Sequence, residues 1–277
     1  MLSYRHAFHA GNAADVLKHS ALIFCLDYLL QKEKPLLCVD THAGAGRYSL
    51  REGYAAQNRE WEQGIGKLSG EQTQLPPLLR RYIEFCLPDP QIYPGSPLIM
   101  AGLLRPGDRL VCCELHPADA AICRSVLPAH AELRQTDGFA GLRGLLPPPS
   151  RRGLVFIDPP YEIKDDYRRA AETLAMALKR FATGTYIVWY PLLRNAPAAA
   201  AGFPDLLMDL YRGNRCRAEL YGPESDPAHS PRGMYGSGLV ICNPPWTLPA
   251  ALAESLPVIG KLIGAGERAW KLDTVAP

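Results

Sequence analysis

Residues 153–167, GLVFIDPPYEIKDDY, decide how the chain is read. The run GLVFI is apolar without interruption, as a strand buried on both faces must be. It ends on one carboxylate, Asp158, then on Pro159, Pro160 and Tyr161 before helical composition resumes. Comparable runs recur, each closed by turn residues: PLLCVDTHAGAG (35–46), DRLVCCELH (108–116), AELRQTDGF (131–139), GTYIVWYPL (184–192), RCRAELYGP (215–223) and GSGLVICNPPW (236–246). Helical segments such as PADAAICRSVL (117–127) and DDYRRAAETLAMALKRF (165–181) separate most of them. This alternation predicts a parallel, doubly wound α/β sheet of the Rossmann-like kind. Only the turn-rich segment 222–235 separates the last two runs, so a hairpin is expected to make the final strand antiparallel.

Residues 51–94 break the alternation between the first two strands and read as a small, mostly helical insertion. The core is then 1–50 together with 95–277. A helix is expected over 12–32, NAADVLKHSALIFCLDYLLQK, with Asn12 as its N-cap and Asp15 in its first turn.

A chain of 277 residues with 47% apolar composition can bury a substantial core. No apolar run is long enough to span a bilayer. The start, MLSYRHAFHAGN, has no secretory apolar stretch, so a cytoplasmic location is expected. The eight cysteines lack CxxC spacing and mostly lie inside apolar runs, which predicts reduced core thiols. A net charge of +2 does not by itself announce a nucleic-acid binder. His6, His9, His19 and His42 invite a metal reading, but no supporting ligand pattern accompanies them and no metal is expected.

The strand ends carry the chemistry. After Asp40, Gly44 and Gly46 let a ligand approach the backbone, although Ser49 occupies the third glycine of a dinucleotide fingerprint. Glu114, at the second strand end, is placed to hold a ribose hydroxyl pair. At the third, Asp137 could accept from an adenine amine while Gly138 leaves room for the ring. Together they predict an adenosine ligand. The fourth strand lies beside the first at the topological switch point, so Asp158 faces the same crevice. The Asp158 carboxylate and the Pro159 carbonyl are both acceptors, and together they suit an exocyclic amine. Tyr161 offers a face for a planar ring. A second motif, NPPW at 243–246, closes the antiparallel strand and is assigned a structural role.

DPPY resembles the Asp/Asn/Ser-Pro-Pro-aromatic motif of S-adenosylmethionine-dependent amino-methyltransferases. More narrowly, MLSYRHAFHAGNAADVLKH, DTHAGAGRY, YPGSPLI, SRRGLVFIDPPYE, KRFATGTY and SGLVICNPPW together resemble the RlmJ family of bacterial 23S ribosomal RNA adenine-N6 methyltransferases. The resemblance implies a seven-stranded methyltransferase core, S-adenosyl-L-methionine as cofactor and an rRNA adenine as substrate. It implies that His19, His42, Ser96, Glu114, Asp137, Gly138 and Asp158 line the cofactor site, with Lys18 partnering the methionine carboxylate. Tyr4 is implied to contact the target adenosine or RNA, with His6 assisting. Arg232 and Gly233, in the loop before the last strand, are placed to touch the RNA backbone. No membrane partner is expected, and the chain is expected to act as a monomer.

Three other readings stay open on the residues alone. One is an N6-adenine methyltransferase acting on DNA or another RNA. The second, a nicotinamide oxidoreductase, leaves DPPY unexplained. A non-catalytic RNA-binding module would not need the glycine and acid set.

Overall fold

The computed structural model describes residues 6–70, 74–87, 89, 91–195, 197–223, 233–266 and 268–276. Tyr4 and Arg232 lie outside them. The strands are β1 (Leu37–Asp40), β2 (Arg47–Ser49), β3 (Ile92–Pro94), β4 (Arg109–Cys113), β5 (Ala131–Arg134), β6 (Gly153–Ile157), β7 (Thr185–Leu193), β8 (Arg215–Tyr221), β9 (Met234–Cys242) and β10 (Trp270–Val275). The first five helices are α1 (Ala13–Leu29), α2 (Gly53–Asn58), α3 (Ile65–Ser69), α4 (Pro77–Cys86) and α5 (Ser96–Leu103). The rest are α6 (Pro117–Val126), α7 (Gly138–Leu142), α8 (Asp165–Arg180), α9 (Phe203–Asp209) and α10 (Leu248–Leu262).

The main sheet has the order β10-β8-β9-β7-β6-β1-β4-β5. β5, β4, β1, β6 and β7 are parallel neighbours, and β9 runs antiparallel between β7 and β8. β1 and β6 are buried along their whole length, which is why their sequences read as unbroken apolar runs. The reversed strand expected from the hairpin is β9. The expectation of seven strands falls one short, because β10 adds an antiparallel edge to β8. WKLDTV alternates without a continuous apolar run, so an edge strand of this kind leaves only a weak signal in sequence.

α1 is buried on nearly every side, and its first turn is capped by Asn12 Oδ1 accepting from the Asp15 amide at 3.1 Å. It packs with α4, α5 and α10, while α8 packs with α7 and α9. Right-handed crossovers place these two groups on opposite faces of the sheet. Between β2 and β3, which form a separate antiparallel ribbon, the chain carries α2, α3 and α4. Leu78, Leu79, Tyr82, Ile83 and Cys86 of α4 join the same hydrophobic cluster as α1. The eight cysteines are all buried thiols. Among the described residues, no helix is long and apolar enough to cross a membrane.

Candidate active site

The first parallel strand ends where its neighbours on both sides end, and the loop after it is stitched to them. Thr41 N donates to Phe156 O, and Ala43 N donates to Cys113 O. Gly44 and Gly46 then turn the chain at φ +60° and +74°, a region that favours glycine. The Gly44 amide donates to Glu114 Oε2 at 2.8 Å, and the His116 amide donates to Glu114 Oε1 at 2.7 Å. Burial pushes the Glu114 carboxyl above its ordinary value. At the next strand end, Asp137 Oδ1 caps α7 through the Ala140 amide, and Oδ2 accepts from Arg169 at 2.6 Å. Burial alone would raise Asp137, but the Arg169 guanidinium holds it below the usual carboxylate range. Gly138 lines the crevice, yet the space its missing Cβ leaves belongs to the protein. A Cβ there would lie 1.7 Å from the Thr41 carbonyl oxygen. Its glycine is therefore needed for backbone approach and does not make room for a ring.

These groups open onto a cavity of about 460 Å³, within the range of small-molecule sites. Lys18, His19, His42, Ser96, Glu114, Asp137, Gly138, Asp158, Pro159 and His6 all line it, so the structure brings together every described residue expected at the cofactor site. Two of them are held in ways that spacing does not announce. Burial keeps His19 neutral, its pKa lowered to about 3, and its Nδ1 meets the Tyr93 hydroxyl at 2.6 Å. His42 is lowered to about 4, again by burial, and packs edge-on to Phe139 with centroids 4.7 Å apart.

Behind the wall lies Asp40. Its carboxylate is bonded by Ser96 and the His42 amide, but Oδ2 has no hydrogen-bond partner among the described residues. Burial pushes Asp40 up to about 7. A buried, half-satisfied carboxylate bonded to Ser96, itself a wall of the cavity, suits a ligand that brings positive charge, as S-adenosylmethionine does through its sulfonium and amino groups.

Asp158 follows β6, and the two prolines after it fix a tight turn that leaves Tyr161 at φ +53°. That costly conformation folds the Tyr161 ring back into the protein. It packs against Tyr167, Phe203 and Trp189, and its hydroxyl donates to the Trp189 carbonyl at 2.6 Å. Tyr161 is only 8% exposed and faces a second cavity, of about 190 Å³, shared with Trp189, Pro191, Leu193 and Met234. His6, Lys18 and Pro160 line both cavities. The DPPY turn is therefore the partition: Asp158 and Pro159 on one side, Tyr161 on the other.

Sequence reasoning missed the ion network that holds this partition. Lys18 Nζ donates to Asp158 Oδ2 at 2.7 Å and lies 3.0 Å from Asp15 Oδ1, so it meets the DPPY acid directly as well as lining the cofactor cavity. Asp15 in turn accepts from the Gly11 amide and bonds His6 Nε2 at 3.1 Å. Burial alone would raise Asp15, yet His6 and Lys18 hold it well below the ordinary value. The available signal was Asp15 and Lys18 three apart within a mostly apolar helix, since buried charges require partners. Trp189 and Arg169 had no comparable signal. Among the described residues, no cluster of three or more His, Cys, Asp or Glu could hold a metal ion.

NPPW sits at the other rim. Asn243 lies beside the start of β8, its amide bonded to Asn214 O, and it is held at φ +52°. Its side chain donates to Ala182 O and Gly184 O at 2.7 and 2.8 Å and accepts from the Tyr211 hydroxyl at 2.6 Å. It braces loops at the end of the sheet opposite Asp158.

A doubly wound sheet with an adenosyl-sized cavity at its switch point, closed by a DPPY turn, defines an S-adenosylmethionine-dependent amino-methyltransferase. The family model described as "Ribosomal RNA large subunit methyltransferase D, RlmJ" matches residues 33–276. The chain is 40% identical over its full length, and over the full length of the relative, to "Ribosomal RNA large subunit methyltransferase J" of Haemophilus influenzae. It is 42% identical to the Escherichia coli protein of the same description, covering 96% of both chains. It also resembles the crystal structure of protein LPL1258 from Legionella pneumophila, with a TM-score of 0.85 and 34% identity over 97% of this chain and 98% of that one. The chain belongs to the RlmJ family of ribosomal RNA large subunit methyltransferases.

Proposed function

We propose that this chain methylates the exocyclic N6 amine of an adenine in 23S ribosomal RNA, using S-adenosylmethionine, in the cytoplasm where that RNA is made. The observation that carries the reading is the DPPY partition, with Asp158 and Pro159 lining the larger cavity and Tyr161 in the aromatic wall of the smaller one behind them. Bound S-adenosylmethionine supplies an electrophilic sulfonium methyl group. Glu114, its two oxygens already oriented by backbone amides, receives the ribose hydroxyls. Asp137, Ser96, His19, His42 and Gly138 complete the walls of that cavity, with Lys18 at its junction with the second.

The target base enters the second cavity, against Tyr161, Trp189 and Pro191, after leaving its stack, and its amine reaches past Pro160, which lines both cavities, to the Asp158 side of the partition. His6 lines this junction, and Tyr4 completes the substrate contacts. Lys18 occupies Asp158 Oδ2, so Oδ1 is the oxygen that accepts the adenine amine, alongside the Pro159 carbonyl. These bonds favour a pyramidal nitrogen whose lone pair bonds the methyl carbon as that carbon's bond to sulfur breaks, leaving a neutral thioether. The nitrogen then gives one proton to Asp158 or to water. Hydrogen bonds to charged groups contribute ~1.5–3 kcal/mol. Alignment of nitrogen and methyl carbon can supply on the order of 7–11 kcal/mol, so positioning lowers the barrier more than the hydrogen bonds do. In the same reading, 51–94 is an insertion into a core formed by 1–50 and 95–277.

The test is transfer of labelled methyl from S-adenosylmethionine to ribosomal RNA from a strain lacking this protein, followed by nucleoside analysis. N6-methyladenosine is the expected product. Asp158→Ala should abolish transfer while RNA binding persists. A different methylated nucleoside, or full activity in Asp158→Ala, overturns the reading.

A further inference from the structure

Beyond the second cavity the surface opens into a groove of about 460 Å³, and the two share Asn12, Ala14 and Met234 as walls. The groove lies at the same rim as Asp158, because β7 and β8 end there and β9 begins there. Its far wall includes Tyr235. Tyr235 is 36% exposed and lies nearly parallel to Tyr221, with ring centroids 6.3 Å apart and planes 12° apart. The Arg194 guanidinium sits 5.9 Å from the Tyr235 ring centre. Met234, between this pair and the base cavity, is 45% exposed. The opposite wall is formed by Asn58, Arg59, Glu60 and Gln63.

The core does not require this arrangement. Tyr221 is anchored by its hydroxyl donating to Glu219 Oε2 at 2.7 Å, so the stack rests on a fixed ring. Exposed parallel aromatics beside an arginine form the surface on which single-stranded nucleobases stack, since every base has a π-face and the arginine adds cation–π and phosphate contacts. A nucleotide joined to an extruded adenosine must leave the base cavity through its open wall, and the groove past Met234 is continuous with that wall.

We propose that Tyr235, supported by Tyr221 and Arg194, stacks the base of an RNA nucleotide flanking the target adenine, with Asn58 and Gln63 facing that base's edge across the groove. This site rests on the adenine-methylating reading above and names a substrate contact that reading does not contain. It selects RNA whose target lies in an unpaired or unstacked segment, because a flanking base still paired in a helix cannot reach the Tyr235 ring.

The experiment measures steady-state methyl transfer to unmodified 23S ribosomal RNA transcribed in vitro, comparing wild type with Tyr235→Ala, Tyr235→Trp and Arg194→Gln. Cofactor affinity is measured separately by calorimetry. Tyr235→Ala is expected to raise KM for RNA about 5- to 150-fold, the range for loss of one stacked base. Cofactor affinity should stay unchanged, and Tyr235→Trp should restore KM to within about threefold of wild type. Arg194→Gln should raise KM and flatten its salt dependence. An unchanged KM in Tyr235→Ala, with wild type active, overturns the stacking site and leaves the methylation reading intact. No methyl transfer by wild type overturns the parent reading instead. A Tyr235→Ala defect seen on assembled ribosomal particles but absent on naked RNA assigns the surface to a protein contact and also overturns the stacking site.

Discussion

Lys18→Met isolates the physical core of the site. Lys18 is 4% exposed in its side chain and lies between Asp15, at 0%, and Asp158, at 12%. Methionine keeps the length and apolar stem of lysine but removes the charge, so the buried Asp15 and the partly buried Asp158 lose their shared cation. Removing one partner of a buried ion pair costs about 3–5 kcal/mol, because it strands the charge that remains. For a chain of 277 residues, at about 2 °C per kcal/mol, this is a drop in Tm of about 6–10 °C. The sign against pH follows from Asp15, whose folded pKa is depressed. Its contribution is present above the unfolded carboxylate value of ~3.9 and fades as pH falls through the lower folded value. The stability gap between wild type and Lys18→Met should therefore be widest near neutrality and shrink in acid. Differential scanning calorimetry at several pH values reads this directly. Adding Asp15→Asn to Lys18→Met should recover more than half the lost stability without restoring methyl transfer, because Asp158 still lacks its orienting ammonium. A Lys18→Met protein that melts within about 2 °C of wild type near neutral pH refutes the reasoning.

Other consequences follow from single contacts. Gly138→Ala puts a Cβ where the Thr41 carbonyl stands, so the loop after β1 must shift and cofactor affinity should fall at least tenfold by calorimetry. Asn243→Ala removes the side-chain donor to Gly184 O and one of the two donors to Ala182 O, which keeps the Tyr211 hydroxyl at 3.2 Å, and this should cost about 1–3 kcal/mol in chemical denaturation. Activity per folded molecule should not change, since Asn243 braces the opposite rim. His42 is held neutral down to about 4, whereas an unfolded histidine takes up its proton near ~6.5. Stability should thus fall as pH drops from ~6.5 toward 4, by up to ~1.4 kcal/mol per pH unit for this one proton, and His42→Gln should flatten that slope. Asp40 works in the opposite sense. Raised to about 7, it makes the folded state lose stability as pH rises from ~4 to 7, and Asp40→Asn should remove that loss in urea titrations.

The alternating apolar runs and their turn residues were enough to give the sheet, its parallel centre and the reversed β9, because each rests on chemistry within a few residues. Strand burial, proline rigidity and glycine turns are local properties. The same locality explains why Glu114, Asp137 and Asp158 could be placed at one crevice: parallel strands in a doubly wound order end at the same rim. β10 escaped notice because an edge strand is specified by its partner β8 more than by its own pattern. The role of Gly138 was legible as a glycine but not as a backbone contact with Thr41, which another strand end supplies. The Lys18–Asp158 bond joins residues 140 positions apart, and nothing near either one encodes the other. The chain's own chemistry thus decided which groups stand at the strand ends. Only the folded sheet decided that the DPPY turn divides two cavities and that α1 delivers the ammonium between them, because those distances depend on how separate elements pack.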